Sequence, residues 1–375
     1  MPLDAPPEAQ SDAASGAKPS NRLAIVDSDI HPAVKSLACL KPYLEQKWWD
    51  HATTYGFRRR HGSPSVEPYP KSAPLASRRD AWPEDGSGRP GSSLELMQKQ
   101  YLDPAGVEVG VLGPLGNTGQ GELNLELGAA FCRATNEWQR DAWTRKDRRL
   151  KAGIVVPYED PQASAKEIER VGHMRDYAQV FCLTRSSDPL GNRRYWPIYA
   201  AAQAHDLPIG FHVFGTSGHP VTGAGWPSYY IEEGAGGHST SAQTVVTSLV
   251  MEGVFEAFPR LKVVIVEGGF GWLAPLTWRL DKIFERNREE LVHLKRKPSE
   301  YIREHVWVST QPMEEPENRQ HLLDTMRWIG HDRLLFASDY PHWDFDDPFR
   351  AFPAGVTQDQ HRAICSENGL KVYRL

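Results

Sequence analysis

Near the end of the chain the stretch FASDYPHWD, Phe336 to Asp344, sets Asp339, His342 and Asp344 among three aromatic side chains, directly after the apolar pair Leu334 and Leu335. A strand that runs out into ligand-type side chains has a use when its carboxyl end opens onto a site shared with other strands. Seven further β-type runs precede it: Leu23 to His31, Val107 to Leu115, Leu150 to Tyr158, Tyr177 to Thr184, Pro208 to Gly215, Lys262 to Gly269 and His305 to Thr310. The quoted stretch continues an eighth run, Arg333 to Pro341.

Segments long enough for a helix separate these runs. Tyr195 to Leu207 is alanine-rich, while Ser241 to Leu261 and Trp272 to Leu294 repeat apolar residues at spacings of three and four. Alternating strands and helices predict parallel strands with right-handed crossovers, and eight such units predict an α/β fold of the (β/α)8 TIM-barrel type. A doubly wound open sheet is the alternative. Two long insertions, His51 to Gly91 after strand 1 and Thr216 to His238 after strand 5, fall at the carboxyl end of a barrel, where sites are built. Residues 1–20 read as a disordered lead with neither apolar core nor basic start, and 21–375 as a single barrel domain.

Composition narrows the function. A formal charge of −5 in 375 residues offers no field for nucleic acid or an anionic membrane, and no run approaches the roughly 18 apolar residues of a membrane span. Four scattered cysteines without C-x-x-C spacing suit reduced thiols, so a cytoplasmic location is expected. The 12 tryptophans and 13 tyrosines suit pockets or subunit contacts.

Polar residues then fall on the predicted strands. Strand 1 ends VDSDIHP, whose alternation sends Asp27, Asp29 and His31 to one side of an extended chain. Strand 5 carries His212 between bulky apolar neighbours, strand 6 ends in Glu267, and strand 8 ends in Asp339. Each has an ordinary reading alone: a turn or helix cap for the aspartates, a hydrogen-bonded core residue for His212, scaffold for Glu267. Together they share one register, because the carboxyl ends of strands 1, 5, 6 and 8 converge on the mouth of a closed barrel. Buried charge without a partner is costly, and a mixed imidazole and carboxylate set suits zinc, manganese or iron better than calcium or magnesium.

On DSDIHP, GFHVFG, VIVEGGFGW and LLFASDYPHWD the chain resembles the aminocarboxymuconate-semialdehyde decarboxylase-like, amidohydrolase-related branch of the amidohydrolase superfamily, over Leu23 to Leu375. The resemblance implies a metal-dependent barrel in which Asp29 and His31 form the strand 1 ligand pair, His212 the strand 5 ligand and Asp339 the strand 8 ligand. It also implies a homodimer. Glu267 stands where the decarboxylases of this branch commonly carry a histidine, and is itself a candidate ligand.

These readings lead to an enzyme with one divalent metal, zinc before manganese or iron, and room for a second. The main expectation is a hydrolase that turns metal-activated water on a C–N or C–O bond of a small organic acid, ester or amide, with Asp339 and Glu267 as catalytic groups. The alternatives are a nonoxidative decarboxylase of an aromatic or unsaturated acid, a dinuclear oxygen-activating enzyme, and a non-catalytic partner of an active paralogue. His342, His238, Trp226, Tyr229 and Tyr230 are expected to line the substrate pocket, each with a plain loop or subunit-contact alternative. Arg58, Arg59 and Arg60 read as a solvated basic turn before a carboxylate clamp.

Overall fold

The computed structural model describes residues 23–57, 74–213 and 236–375. Eight parallel strands follow chain order: β1 (Ile25–Ile30), β2 (Val107–Leu112), β3 (Leu150–Val155), β4 (Tyr177–Leu183), β5 (Ile209–His212), β6 (Val263–Val266), β7 (Val306–Ser309) and β8 (Leu334–Leu335). Each lies in the run expected of it. β4 and β6 are buried along their whole length, as parallel strands covered on both faces must be.

β8 is far shorter than its run, and the chain beyond it joins β1 to complete the ring. The Ser28 N–H donates to the Phe336 carbonyl at 2.9 Å, the Asp339 N–H to that of Asp29 at 3.1 Å, and the His31 N–H to that of Tyr340 at 2.8 Å. The sheet is therefore a (β/α)8 barrel and not an open doubly wound sheet.

The covering helices include α1 (Gln46–Tyr55), α2 (Leu125–Gln139), α3 (Pro161–Val171), α4 (Trp196–Ala204), α5 (His238–Met251), α6 (Leu273–Arg286), α7 (Pro298–His305), α8 (Arg319–Ile329) and α9 (Asn368–Val372). Their starts follow local chemistry: Asp160 accepts from the Ala163 N–H ahead of α3, with Pro161 in the first turn. The periodicity of Ser241 to Leu261 overran one boundary. Gly253 adopts a left-handed φ of 77° and splits that segment after Met251.

Inside the ring, Val26, Val111, Ala178, Val264, Val266, Trp307 and Leu335 form a compact apolar cluster. Val372 and Tyr373, at and just after the end of α9, complete it. The helix comes this close because residue 369 is glycine; a Cβ there would lie 2.5 Å from Cγ1 of Val26. The chain's end thus plugs the barrel opposite the mouth that carries the polar residues.

Candidate metal centre

At that mouth, the side chains after β1, β5, β6 and β8 converge. Nδ1 of His31 lies 2.6 Å from the Gly113 carbonyl, and Nδ1 of His212 contacts the Val213 carbonyl. A carbonyl oxygen only accepts, so each Nδ1 holds a proton and each ring turns its Nε2 inward, where it offers a lone pair once that nitrogen is deprotonated. Both Nε2 atoms and Oδ2 of Asp29 are buried without a well-formed hydrogen bond. Yet Nε2 of His31 stands 2.8 Å from Oδ1 of Asp339 and 3.4 Å from Oδ1 of Asp29, while Nε2 of His212 stands 2.8 Å from Oε2 of Glu267 and 3.6 Å from Oδ2 of Asp29. Acceptor atoms this close need a cation or a proton between them.

The donors form two overlapping groups, Asp29, His31, His212 and Glu267 in one and His31, Glu267, Asp339 and His342 in the other. Within each, the ligand atoms lie within 4.8 Å of one another. Charge balance tells the same story. Burial disfavours the imidazolium forms, but Asp29 and Asp339 hold the pKa of His31 well above the ordinary histidine value. For His212, Glu267 and Asp29 overcome burial and raise it to about 9. Burial would raise the carboxyls of Asp29 and Asp339 in turn, and the neighbouring histidines lower both. Such a cluster attracts positive charge, and its donors fit a divalent ion.

Glu267 and Asp339 share a backbone peculiarity. Both take left-handed φ, 56° and 59°, which residues with a Cβ seldom adopt and which clusters at functional sites. His342 joins the centre, with Nδ1 2.5 Å from Oδ1 of Asp339 and its ring stacked on His31 at 4.5 Å. His238 opens α5 and feels Glu267, His212, Arg185 and Asp339, with burial holding its pKa below the usual value. Trp226, Tyr229, Tyr230 and Arg58 to Arg60 lie outside the described residues.

Asp27 departs from expectation. The β1 register slips between Asp27 and Ile30, so alternation does not carry Asp27 to the side of Asp29 and His31. Its Oδ1 accepts from the N–H groups of Asp29 and Ser338, both at 3.0 Å, and its Oδ2 from the hydroxyls of Tyr101 at 2.6 Å and Ser338 at 2.5 Å. Both oxygens are occupied, and Asp27 rivets the first strand to the chain after the last. Three residues at the mouth escaped the sequence reading. Arg185, two positions beyond β4, is buried and felt by His238; Ser309 and Gln311 stand at the end of β7. The carboxyl-end position that singled out Glu267 applies equally to these three.

A family model described as amidohydrolase matches residues 26–375. The chain belongs to the amidohydrolase family. Within that family it is 26% identical, over 314 residues, to a γ-resorcylate decarboxylase of Polaromonas sp. strain JS666, covering 78% of this chain and 91% of the relative. A dihydroxybenzoic acid decarboxylase from Polaromonas sp. JS666, solved with bound manganese and the inhibitor 2-nitroresorcinol, superposes with a TM-score of 0.67 at 16% identity, covering 94% of this chain and 97% of that one. For 5-carboxyvanillate decarboxylase from Sphingomonas paucimobilis the TM-score is 0.67 at 18% identity, covering 94% and 99%. This amidohydrolase-family chain is an enzyme, and these relatives are decarboxylases, not the hydrolase expected from Glu267. Among the described residues, no helix is long and apolar enough to cross a membrane.

Proposed function

We propose that this enzyme is a metal-dependent, nonoxidative decarboxylase of an aromatic carboxylic acid, acting in the cytoplasm as a homodimer. The observation that carries the reading is the pair of inward imidazole Nε2 atoms facing carboxylates at 2.8 Å, in a chain similar along most of its length to a γ-resorcylate decarboxylase. Asp29, His31, His212, Glu267 and Asp339 would hold one divalent ion. Manganese is favoured by the oxygen-rich donor set and by the Polaromonas structure, ahead of the zinc or iron that the sequence also allowed. Such an ion supplies positive charge that anchors the oxygen atoms of an acidic substrate.

The chain's own groups handle the proton. Asp339 and His342, 2.5 Å apart, share one and pass it to the ring carbon that bears the carboxylate. The electron pair of the bond to the carboxylate then returns to the ring, carbon dioxide leaves, and nothing is oxidised or reduced. Glu267 orients the acid beside His212. Arg185 and His238 offer the substrate a cation and a hydrogen-bonding ring, and Trp226, Tyr229 and Tyr230 its aromatic wall.

Headspace carbon dioxide measured from 2,6-dihydroxybenzoate and 5-carboxyvanillate tests the reading. Release is expected with the wild type and falls by about a thousandfold in Asp339→Asn. A second reading, the hydrolase, is favoured by Glu267, whose carboxylate is placed beside His212 to take a proton from water. Ester or amide cleavage without carbon dioxide selects it, and two ions per chain by elemental analysis select a dinuclear enzyme.

A further inference from the structure

β7 supplies no donor to the centre, but it lies between β6 and β8, whose ends supply Glu267 and Asp339. The backbone ladder between β6 and β7 runs only to Ile265 opposite Val308, and that between β7 and β8 to Ser309 opposite Leu335. Beyond those points side chains make the connection. Oγ of Ser309 accepts from the Glu267 N–H at 2.9 Å and donates to the Gln311 carbonyl at 3.1 Å. The Gln311 amide donates to Oδ2 of Asp339 at 3.1 Å and to the Asp344 carbonyl at 3.4 Å. Ser309 and Gln311 are almost wholly buried, 1% and 0% exposed. We propose that Ser309 and Gln311 are positioning residues that bracket Glu267 and Asp339 and thereby set the affinity of the centre for a divalent ion, an inference that rests on the metal reading above.

The argument is conformational. Glu267 and Asp339 both stand in left-handed backbone that an acidic residue leaves readily unless something holds it. Ser309 holds Glu267 by the very N–H that this backbone turns toward β7. Gln311 holds Asp339 by the carboxylate itself, taking Oδ2 and leaving Oδ1 to His31 and His342. Because the serine hydroxyl also fixes the Gln311 carbonyl, the two restraints form one continuous connection from residue 267 to residue 339. Groups of this kind, which orient ligands without touching the ion, typically change metal affinity by 10- to 100-fold when removed.

The test uses metal-stripped full-length protein and measures Mn²⁺ and Zn²⁺ dissociation constants by competition with a chromophoric chelator. Ser309→Ala removes the acceptor, and Gln311→Met removes the donor while filling the same volume. Each is expected to weaken Mn²⁺ binding by about tenfold or more, well beyond any parallel drop in the thermal unfolding of the metal-free protein. Ser309→Thr, which keeps the hydroxyl, is expected to stay within about threefold of wild type. Affinities within about twofold of wild type in both disruptive variants overturn the bracket alone. Weakening that merely tracks a loss of metal-free stability also overturns it, since a plain packing role does that. A wild type that takes up neither ion overturns the metal reading, and the bracket with it.

Discussion

Nε2 of His31 and Nε2 of His212 can each be satisfied by a proton or by a shared cation, so the centre is a competition between the two. In the metal-free protein Glu267 and Asp29 raise the pKa of His212 to about 9 against burial, and Asp29 and Asp339 hold that of His31 well above the ordinary histidine value, which favours the protonated rings at neutral pH. An ion that binds through Nε2 must expel those protons. Apparent metal affinity is therefore expected to rise steadily from pH 6 to about 9 and to flatten only above the histidine pKa values; a flat profile across that range removes the histidines from the ligand set. His31→Ala gives the complementary result, loss of the ion with the barrel retained. At this scale the convergence of Asp29, His31, His212, Glu267 and Asp339 was legible in the sequence because ionisable residues at the ends of apolar strands have few other uses. Asp27 was not, because a one-residue slip in register leaves no mark on hydrophobic periodicity.

Among the elements, the segment from Gln98 to Leu102 has a role that pattern reading could not assign. This turn of π-helix brings Tyr101 against Asp27 at 2.6 Å, and burial pushes the Asp27 carboxyl up to about 7 despite four hydrogen bonds. Tyr101→Phe keeps the ring but strips one donor from a buried oxygen. About 1 to 3 kcal/mol of stability should be lost, read from the urea midpoint at unchanged slope. A variant as stable as wild type would mean that Ser338 and the backbone suffice. All eight strands were readable because short Val- and Ile-rich runs in parallel sheets are apolar throughout. The extents were not: β8 ends at Leu335, since from Phe336 the chain pairs with β1 around a bent backbone that carries Asp339 in left-handed φ. The ends of α5 and α6 were overrun for a related reason, because periodicity persists past the residue where the helix stops.

For the molecule as a whole, the plug formed by α9 ties the terminus to the core. Tyr373 is 1% exposed within the interior cluster, and Arg374 donates to the carbonyls of His205 and Gly172 on the opposite side of the ring. Removing Tyr373 to Leu375 should empty the floor beneath the site and lower stability by about 3 to 5 kcal/mol, the usual cost of truncating a large buried ring. Differential scanning calorimetry of the metal-free protein reads this directly, and an unchanged transition temperature would show that the strands fill the interior unaided. The seam between β1 and the chain after β8 has a consequence for synthesis. Asp27 and its partner Ser338 are 311 residues apart, so at 5 to 20 residues per second a ribosome delivers the second about 15 to 60 s after the first. Through that interval β1, with Asp29 and His31 already made, has no closing neighbour. A nascent chain short of Asp339 therefore lacks one carboxylate of the proposed ion site, and uptake of the proposed ion waits for β8 and the chain beyond it.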